Sequence, residues 1–166
     1  LSRSAESTKA DAKPKVLLVD DHPEILKSVS RLLADDFNVV AATDGYEALD
    51  VSRRADPDIV VLDIMMPGLD GFKTAEELRR SGSRAPIVFL SMHAGEDYVA
   101  EGFRTGGRGY VLKARLYPDL VNAMDRALAG QLFVPTLTSL LVIDDGRITG
   151  ELHLLGIGGP EIGRAS

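Results

Sequence analysis

Five short aliphatic runs, separated by segments with helical spacing, constrain the fold of this chain more than any other feature. The runs are KVLLV (15–19), FNVVA (37–41), DIVVL (58–62), PIVFL (86–90) and GYVLK (109–113). Continuous apolar runs of this length are typical of strands that are buried on both faces, as a parallel sheet requires. The sequence therefore predicts an α/β fold around a five-stranded parallel sheet.

The segments between the runs have the spacing of amphipathic helices. Apolar residues recur at helical intervals from Ile25 to Leu33, after Pro23, which suits a first helical turn. We predict shorter helices over 45–55, 71–81 and 96–105, and a last helix with an apolar stripe from Leu120 to Leu128 that ends at Gly130. Five strand-helix units joined by right-handed crossovers form a doubly wound sheet with helices on both faces.

The chain divides into three predicted segments. Residues 1–14 are polar and small, which predicts a flexible tail, and residues 15–130 form the domain. Residues 131–166 form a C-terminal extension, in which a β-hairpin over 137–155 is favoured over a short helix and is followed by a flexible end. Such a hairpin would dock either on its own domain or on a second copy of the chain in a homodimer.

Composition excludes several classes of function. The net charge is −6 and no run is rich in lysine or arginine, which disfavours direct binding to DNA or to an anionic membrane. The chain has no cysteine, so it forms no disulfide and no thiolate metal site. Its longest apolar stretches are far shorter than the roughly 18 residues of a membrane span. We expect a cytoplasmic protein that does not associate with membranes.

Polar side chains follow four of the five predicted strands. The first run is followed by Asp20 and Asp21, the third by Asp63, the fourth by Ser91, and the fifth ends in Lys113. Each alone has an ordinary explanation, since paired aspartates before a proline often cap a helix and a lone serine or lysine is usually solvated. Because ligands of doubly wound sheets bind beyond the carboxyl ends of the strands, their coincidence predicts a binding site.

The chemistry of these side chains favours a metal and a phosphoryl group. Three neighbouring carboxylates repel one another, so positive charge is needed nearby. Lys113 supplies one charge, and a divalent cation that prefers oxygen supplies the rest, Mg²⁺ rather than Zn²⁺ because the cluster is made of carboxylates. A carboxylate beside such a cation can attack a phosphoryl group and form an acyl phosphate. Ser91 and Lys113 would then bind the phosphoryl oxygens.

With these residues identified, the segment from about 15 to 130 resembles the receiver domain of two-component response regulators. The motifs VDDHPEIL, LDIMMPGLDG, FLSMH and GYVLK carry the resemblance, in order and at the usual spacing. It implies the CheY-like, flavodoxin-type fold with strand order 2-1-3-4-5. The stretch SMHAGEDYVAEGFRTGGRGYVLKA is similar to the branch whose members usually carry a LuxR/NarL-type helix-turn-helix DNA-binding domain, which we expect to be absent from this chain.

The resemblance also implies a role for each site residue. Asp63 would be the phospho-acceptor, Lys113 would pair with the phosphoryl group, and Ser91 and Tyr110 would be the switch residues. The Mg²⁺ ligands would be Asp20, Asp21, Asp63 and the backbone carbonyl of Met65.

The implied function is a signalling switch. A histidine kinase or a phosphotransfer protein would supply the phosphoryl group, and the face formed by the fourth helix, fifth strand and fifth helix would change for a downstream partner that the sequence does not identify. The chain would then be no enzyme, since it would catalyse only its own phosphorylation and dephosphorylation. The alternatives are a pseudo-receiver scaffold that acts without phosphorylation and a Mg²⁺-dependent aspartyl phosphohydrolase, with a flavin-binding protein of the same fold disfavoured.

Overall fold

The computed structural model describes residues 12–135, 139–144 and 147–153, in which strands and helices alternate. The strands are β1 (Lys15–Val19), β2 (Asn38–Ala42), β3 (Ile59–Asp63), β4 (Ile87–Ser91) and β5 (Gly109–Leu112). The helices are α1 (Pro23–Leu33), α2 (Gly45–Ala55), α3 (Gly71–Arg80), α4 (Glu96–Arg104) and α5 (Leu116–Leu128). A 3₁₀ turn, Lys113–Arg115, joins β5 to α5.

The five strands form one parallel sheet in the order β2-β1-β3-β4-β5, which confirms the predicted fold class. All residues of β3 and β4 are buried, as continuous apolar runs require. Successive side chains point to opposite faces, so each strand serves two cores. Leu17, Leu62 and Phe89 pack with α2, α3 and α4, whereas the residues that alternate with them pack with α1 and α5.

The helix boundaries agree with the predicted ones to within a residue, except at the start of α5. This helix begins at Leu116, one turn before the predicted stripe, because the 3₁₀ turn runs directly into it. Pro118 lies in the first turn, where its missing N–H costs no intrahelical hydrogen bond. Asp44 and Asp70 cap α2 and α3 by accepting hydrogen bonds from backbone N–H groups.

The folded unit continues past Gly130, where we placed the end of the domain. After Gly130 the chain runs beside β5: Phe133 N–H donates to the Arg108 carbonyl over 2.9 Å, and Tyr110 N–H donates to the Phe133 carbonyl over 3.1 Å. Phe133 and Val134 are 8% and 4% exposed and pack on opposite faces of the sheet. We therefore propose a domain boundary after Pro135.

At the other end of the domain, Pro14 already contacts the sheet. Its carbonyl accepts a hydrogen bond from Asn38 N–H over 2.9 Å. Residues 1–11 of the predicted flexible tail lie outside the described residues.

Two further strands, β6 (Ser139–Asp144) and β7 (Arg147–His153), lie in the C-terminal extension. They pair antiparallel, with an irregularity between Val142 and Ile143, and they lie beside α4. The centre of the predicted turn and the predicted flexible end lie outside the described residues. Among the described helices, none has the length and apolar character needed to cross a membrane.

Candidate functional site

The carboxyl ends of β1 and β3 bring the three predicted acids together. Asp20 follows Val19, which pairs with Leu62, and Asp63 is the next residue of β3. Asp20 is fully buried, Asp63 is 1% exposed, and Asp21 is partly exposed. One side-chain ligand atom from each of these acids and from His22 lies within 4.8 Å of the others. Parallel pairing in this register therefore converts separate sequence positions into one acidic cluster.

Lys113 reaches the same cluster from the end of β5. Its Nζ atom lies 2.9 Å from Asp20 Oδ2 and 3.2 Å from Asp63 Oδ1. Burial alone would lower the pKa of Lys113, but its contacts with the two carboxylates outweigh burial and raise that pKa above its usual value. Lys113 is therefore a permanent positive charge between two buried acids.

The pKa of the Asp63 carboxyl group is strongly raised. Burial raises its pKa from 3.8 to about 6, and the negative charges of Asp20 and Asp21 act in the same direction against the opposing effect of Lys113. Within the described part of the chain, its buried Oδ2 atom has no hydrogen-bond partner. Buried carboxylate oxygens with unsatisfied charge fit an oxygen-preferring divalent cation.

His22, whose side chain is 65% exposed, also lies at the acidic cluster. It occupies the cap position before α1, but its side chain makes no capping hydrogen bond. Instead its backbone N–H donates to Asp20 Oδ1 over 2.9 Å, and its Nδ1 lies 3.1 Å from Asp20 and 3.2 Å from Asp21. The paired aspartates therefore do not cap α1, and the adjacency of His22 to them was the only signal of this contact.

The predicted switch residues Ser91 and Tyr110 are both fully buried and both bind the backbone of His93. Ser91 Oγ accepts a hydrogen bond from His93 N–H over 2.9 Å, and the Tyr110 hydroxyl donates to the His93 carbonyl over 2.8 Å. Burial raises the pKa of Tyr110 to about 12, so its hydroxyl stays protonated. The His93 ring stacks on Tyr98 of α4 at a centroid distance of 4.4 Å. His93 thus connects the ends of β4 and β5 to α4.

The loop after β3 folds back onto the end of that strand. Gly71 N–H donates to the Ile64 carbonyl over 2.8 Å. A Cβ atom at Gly71 would lie 2.4 Å from the Asp63 carbonyl oxygen, so only glycine fits this close approach. Met65, the second residue of this loop, is 53% exposed. The structure thus brings Lys113 into direct contact with Asp20 and Asp63, and places a carboxylate oxygen of Asp21 within 4.8 Å of these acids. Ser91 lies one residue beyond the partner of Asp63 on β4.

Comparison with known proteins agrees with this geometry. The sequence profile described as "Response regulator receiver domain" matches residues 16–125. The chain belongs to the response regulator receiver domain family. Two-component signalling is therefore the general role of the domain family to which the chain belongs.

Three relatives illustrate the similarity of this receiver domain to known ones. The nitrate/nitrite response regulator NarL of Escherichia coli strain K12 is 35% identical over 120 residues, covering 70% of this chain and 56% of that protein. A LuxR-family response regulator from an Aurantimonas species matches with TM-score 0.70 and 34% identity, covering 74% of this chain and 89% of that one. The signal receiver domain of NarL from Mycobacterium tuberculosis matches with TM-score 0.68 and 31% identity, covering 72% of this chain and 98% of that one. The chain thus spans little more than half the length of the Escherichia coli relative.

Proposed function

We propose that the protein is a phosphorylation-controlled switch in which Asp63 accepts a phosphoryl group from a histidine kinase or a phosphotransfer protein. The observation that carries this proposal is the carboxylate of Asp63 itself. It is buried at a strand end, one of its oxygens is unpartnered among the described residues, and the other lies 3.2 Å from Lys113. A nucleophile needs such a free lone pair beside a positive charge that will stabilise the product.

Asp20, Asp21 and Asp63, together with the backbone carbonyl of Met65, would hold Mg²⁺. These are the oxygen ligands that Mg²⁺ prefers, and the three carboxylates lie close enough to share one ion. When bound, Mg²⁺ neutralises negative charge on the carboxylates and on phosphoryl oxygens. The same positive charge would lower the pKa of Asp63 and keep this carboxylate ionised near neutral pH.

In the proposed transfer, an oxygen of Asp63 attacks the phosphorus of a phosphohistidine. A new O–P bond forms as the P–N bond breaks, and the imidazole leaves with the bonding electron pair and takes up a proton. Lys113 stabilises the negative charge on the equatorial oxygens, since its ammonium group already lies beside Asp63. The reaction is thus catalysed within the domain, and hydrolysis of the same acyl phosphate by water restores Asp63.

The contacts of His93 support a specific route for the switch. If Ser91 Oγ turns toward the new phosphoryl group, it gives up the hydrogen bond from His93 N–H. The carbonyl of the same residue holds the Tyr110 hydroxyl, and its ring stacks on α4. A shift of His93 therefore reaches β5 and α4 together, and the face formed by α4, β5 and α5 changes for a protein partner. The β6-β7 hairpin lies beside α4, so this change would also reach it.

The test is phosphorylation by acetyl phosphate with and without Mg²⁺, followed by intact-mass spectrometry. We expect the wild-type chain to gain one phosphoryl group only with Mg²⁺ and the Asp63→Asn variant to gain none. Asp35→Asn, which changes an exposed acid outside the cluster, is the matched control and should behave like wild type. Equal phosphorylation of Asp63→Asn would refute the proposal.

A second measurement separates the switch from its alternatives. Beryllium fluoride, which mimics a phosphoryl group on a carboxylate, should change the amide NMR spectrum around Ser91, His93 and Tyr110 when Mg²⁺ is present. An unchanged spectrum would favour a scaffold that acts without phosphorylation. Sustained hydrolysis of aryl phosphates, with many turnovers per chain, would instead favour a phosphohydrolase.

A further inference from the structure

A concave pocket of about 740 Å³ lies at the end of the sheet opposite Asp63. It is bounded by the residues that precede β3, β4 and β5 and by the C-terminal end of α5. Four arginines line it: Arg79, Arg84, Arg104 and Arg108. They come from α3, the loop before β4, α4 and the loop before β5, so only the tertiary structure brings them together.

The positive charge of this pocket is poorly compensated. Among the described residues that line it, the one acid is Asp58, which already accepts a hydrogen bond from Lys15 N–H over 2.7 Å. Arg104 pairs with Glu101, whereas Arg84 and Arg108 are exposed and make no ion pair within the described ranges. The chain as a whole carries a net charge of −6, so this positively charged pocket contrasts with the overall negative charge of the protein.

Arg79 is held in place before any ligand arrives. It is half-buried, and its Nη1 donates to the carbonyl of Ser83 over 3.1 Å and to that of Ala85 over 2.8 Å. A Cβ atom at Gly106 would lie 3.6 Å from Arg79 Nε, an ordinary van der Waals distance, so the loop before β5 lies beside the guanidinium. Burial, and then the charge of Arg108, lower the pKa of Arg79. A ligand anion would relieve this repulsion between like charges.

The size and charge of the pocket define its ligand. Its volume lies within the range of small-molecule sites, about 300–1,000 Å³. Arg84 and Arg108, which make no ion pair among the described residues, can each donate two parallel hydrogen bonds to phosphate oxygens. Arg79 and Arg104 add positive charge beside them, so the pocket suits more than one phosphate group. An extended polyanion such as DNA is disfavoured, because the rest of this acidic chain would repel it. We propose that this arginine pocket binds a small anion with two linked phosphate groups, either inorganic pyrophosphate or a nucleoside diphosphate.

Isothermal titration calorimetry with pyrophosphate and with ADP tests the proposal. The titrations are done in EDTA, because the acidic cluster without a cation repels anions and so does not compete. We expect the double variant Arg84→Gln/Arg108→Gln to bind both probes at least about tenfold more weakly, since it loses charge-assisted hydrogen bonds. Arg31→Gln/Arg53→Gln, two exposed arginines outside the pocket, is the charge-matched control and should bind like wild type.

Amide NMR of the wild-type chain supplies an independent readout, since binding should shift the signals of Gly106, Gly107 and Arg108. Tighter binding of ADP assigns the site to a nucleotide, and equal or tighter binding of pyrophosphate assigns it to the phosphate groups alone. Absence of binding at millimolar probe, or an equal loss in both double variants, would overturn the proposal. Tighter binding of a DNA duplex through the same arginines would replace it with a nucleic-acid surface. None of these outcomes depends on whether Asp63 is phosphorylated.

Discussion

Replacing Asp63 with asparagine should stabilise the metal-free protein, although this residue is the proposed nucleophile. The folded domain disfavours the charged form of Asp63, whose pKa is about 6 in place of 3.8, chiefly because the carboxyl group is buried and lies beside Asp20. Between these two values the folded state binds a proton that the unfolded state has released. Stability therefore falls as pH rises from about 4 to about 6 and stays low above that range.

The magnitude follows from the same two pKa values. A gap from 3.8 to about 6, at about 1.4 kcal/mol per pH unit, amounts to about 3 kcal/mol at pH 7.5. Asparagine carries no charge at any of these pH values, so it avoids this cost. The Asp63 pKa of about 6 already includes the attraction of Lys113. Losing this attraction in Asp63→Asn therefore does not turn the expected stabilisation into a destabilisation.

Urea unfolding in EDTA, at pH 4 and at pH 7.5, measures the effect. Asp63→Asn should exceed wild type in free energy of unfolding by about 2–3 kcal/mol at pH 7.5 and by much less at pH 4. Asp35→Asn, an exposed acid, should differ from wild type by less than about 0.5 kcal/mol at both pH values. If Asp63→Asn were no more stable than wild type at pH 7.5, the electrostatic account of the acidic cluster would be wrong.

Three further outcomes are expected. Gly71→Ala should lower the free energy of unfolding in urea by about 1–3 kcal/mol or more, because its Cβ would lie 2.4 Å from the Asp63 carbonyl oxygen. Gly95→Ala, whose Cβ would meet nothing nearer than 3.9 Å, should lower it far less. Lys113→Met should slow phosphorylation by acetyl phosphate about 100-fold at saturating Mg²⁺, as measured by mass spectrometry over time. A chain that ends at Gly130 should be less stable in urea unfolding than one that ends at Pro135, because residues 133 and 134 are buried. Equal stability of the two chains would refute this boundary.

The fold was predictable because its signals are local. Each buried strand is a continuous apolar run, and such runs appear in the sequence whatever the rest of the chain does. The start of α5 and the end of the domain were less predictable. A 3₁₀ turn and a short segment beside β5 lack strong periodicity, and the burial of Phe133 depends on a neighbouring strand that is distant in sequence.

The location of the acidic cluster was also predictable, because every strand of a parallel sheet ends at the same edge. Its contacts were not. The contact of His22 with Asp20 and Asp21 depends on the geometry of the turn between β1 and α1. The hydrogen bonds from His93 to Ser91 and from Tyr110 to His93 depend on the register of two strands.

The sequence by itself determined the type and order of the elements and the residue types at the end of each strand. Hydrophobic periodicity is a local property, and so is the identity of the residue that follows a run. Only the tertiary structure decided which groups share a low-dielectric space, and therefore that the pKa of Asp63 is raised and that its Oδ2 atom has no hydrogen-bond partner among the described residues. The tertiary structure alone decided that four arginines from separate elements meet in one pocket. The position of an arginine in the sequence does not show which other charged residues will lie near it in the fold.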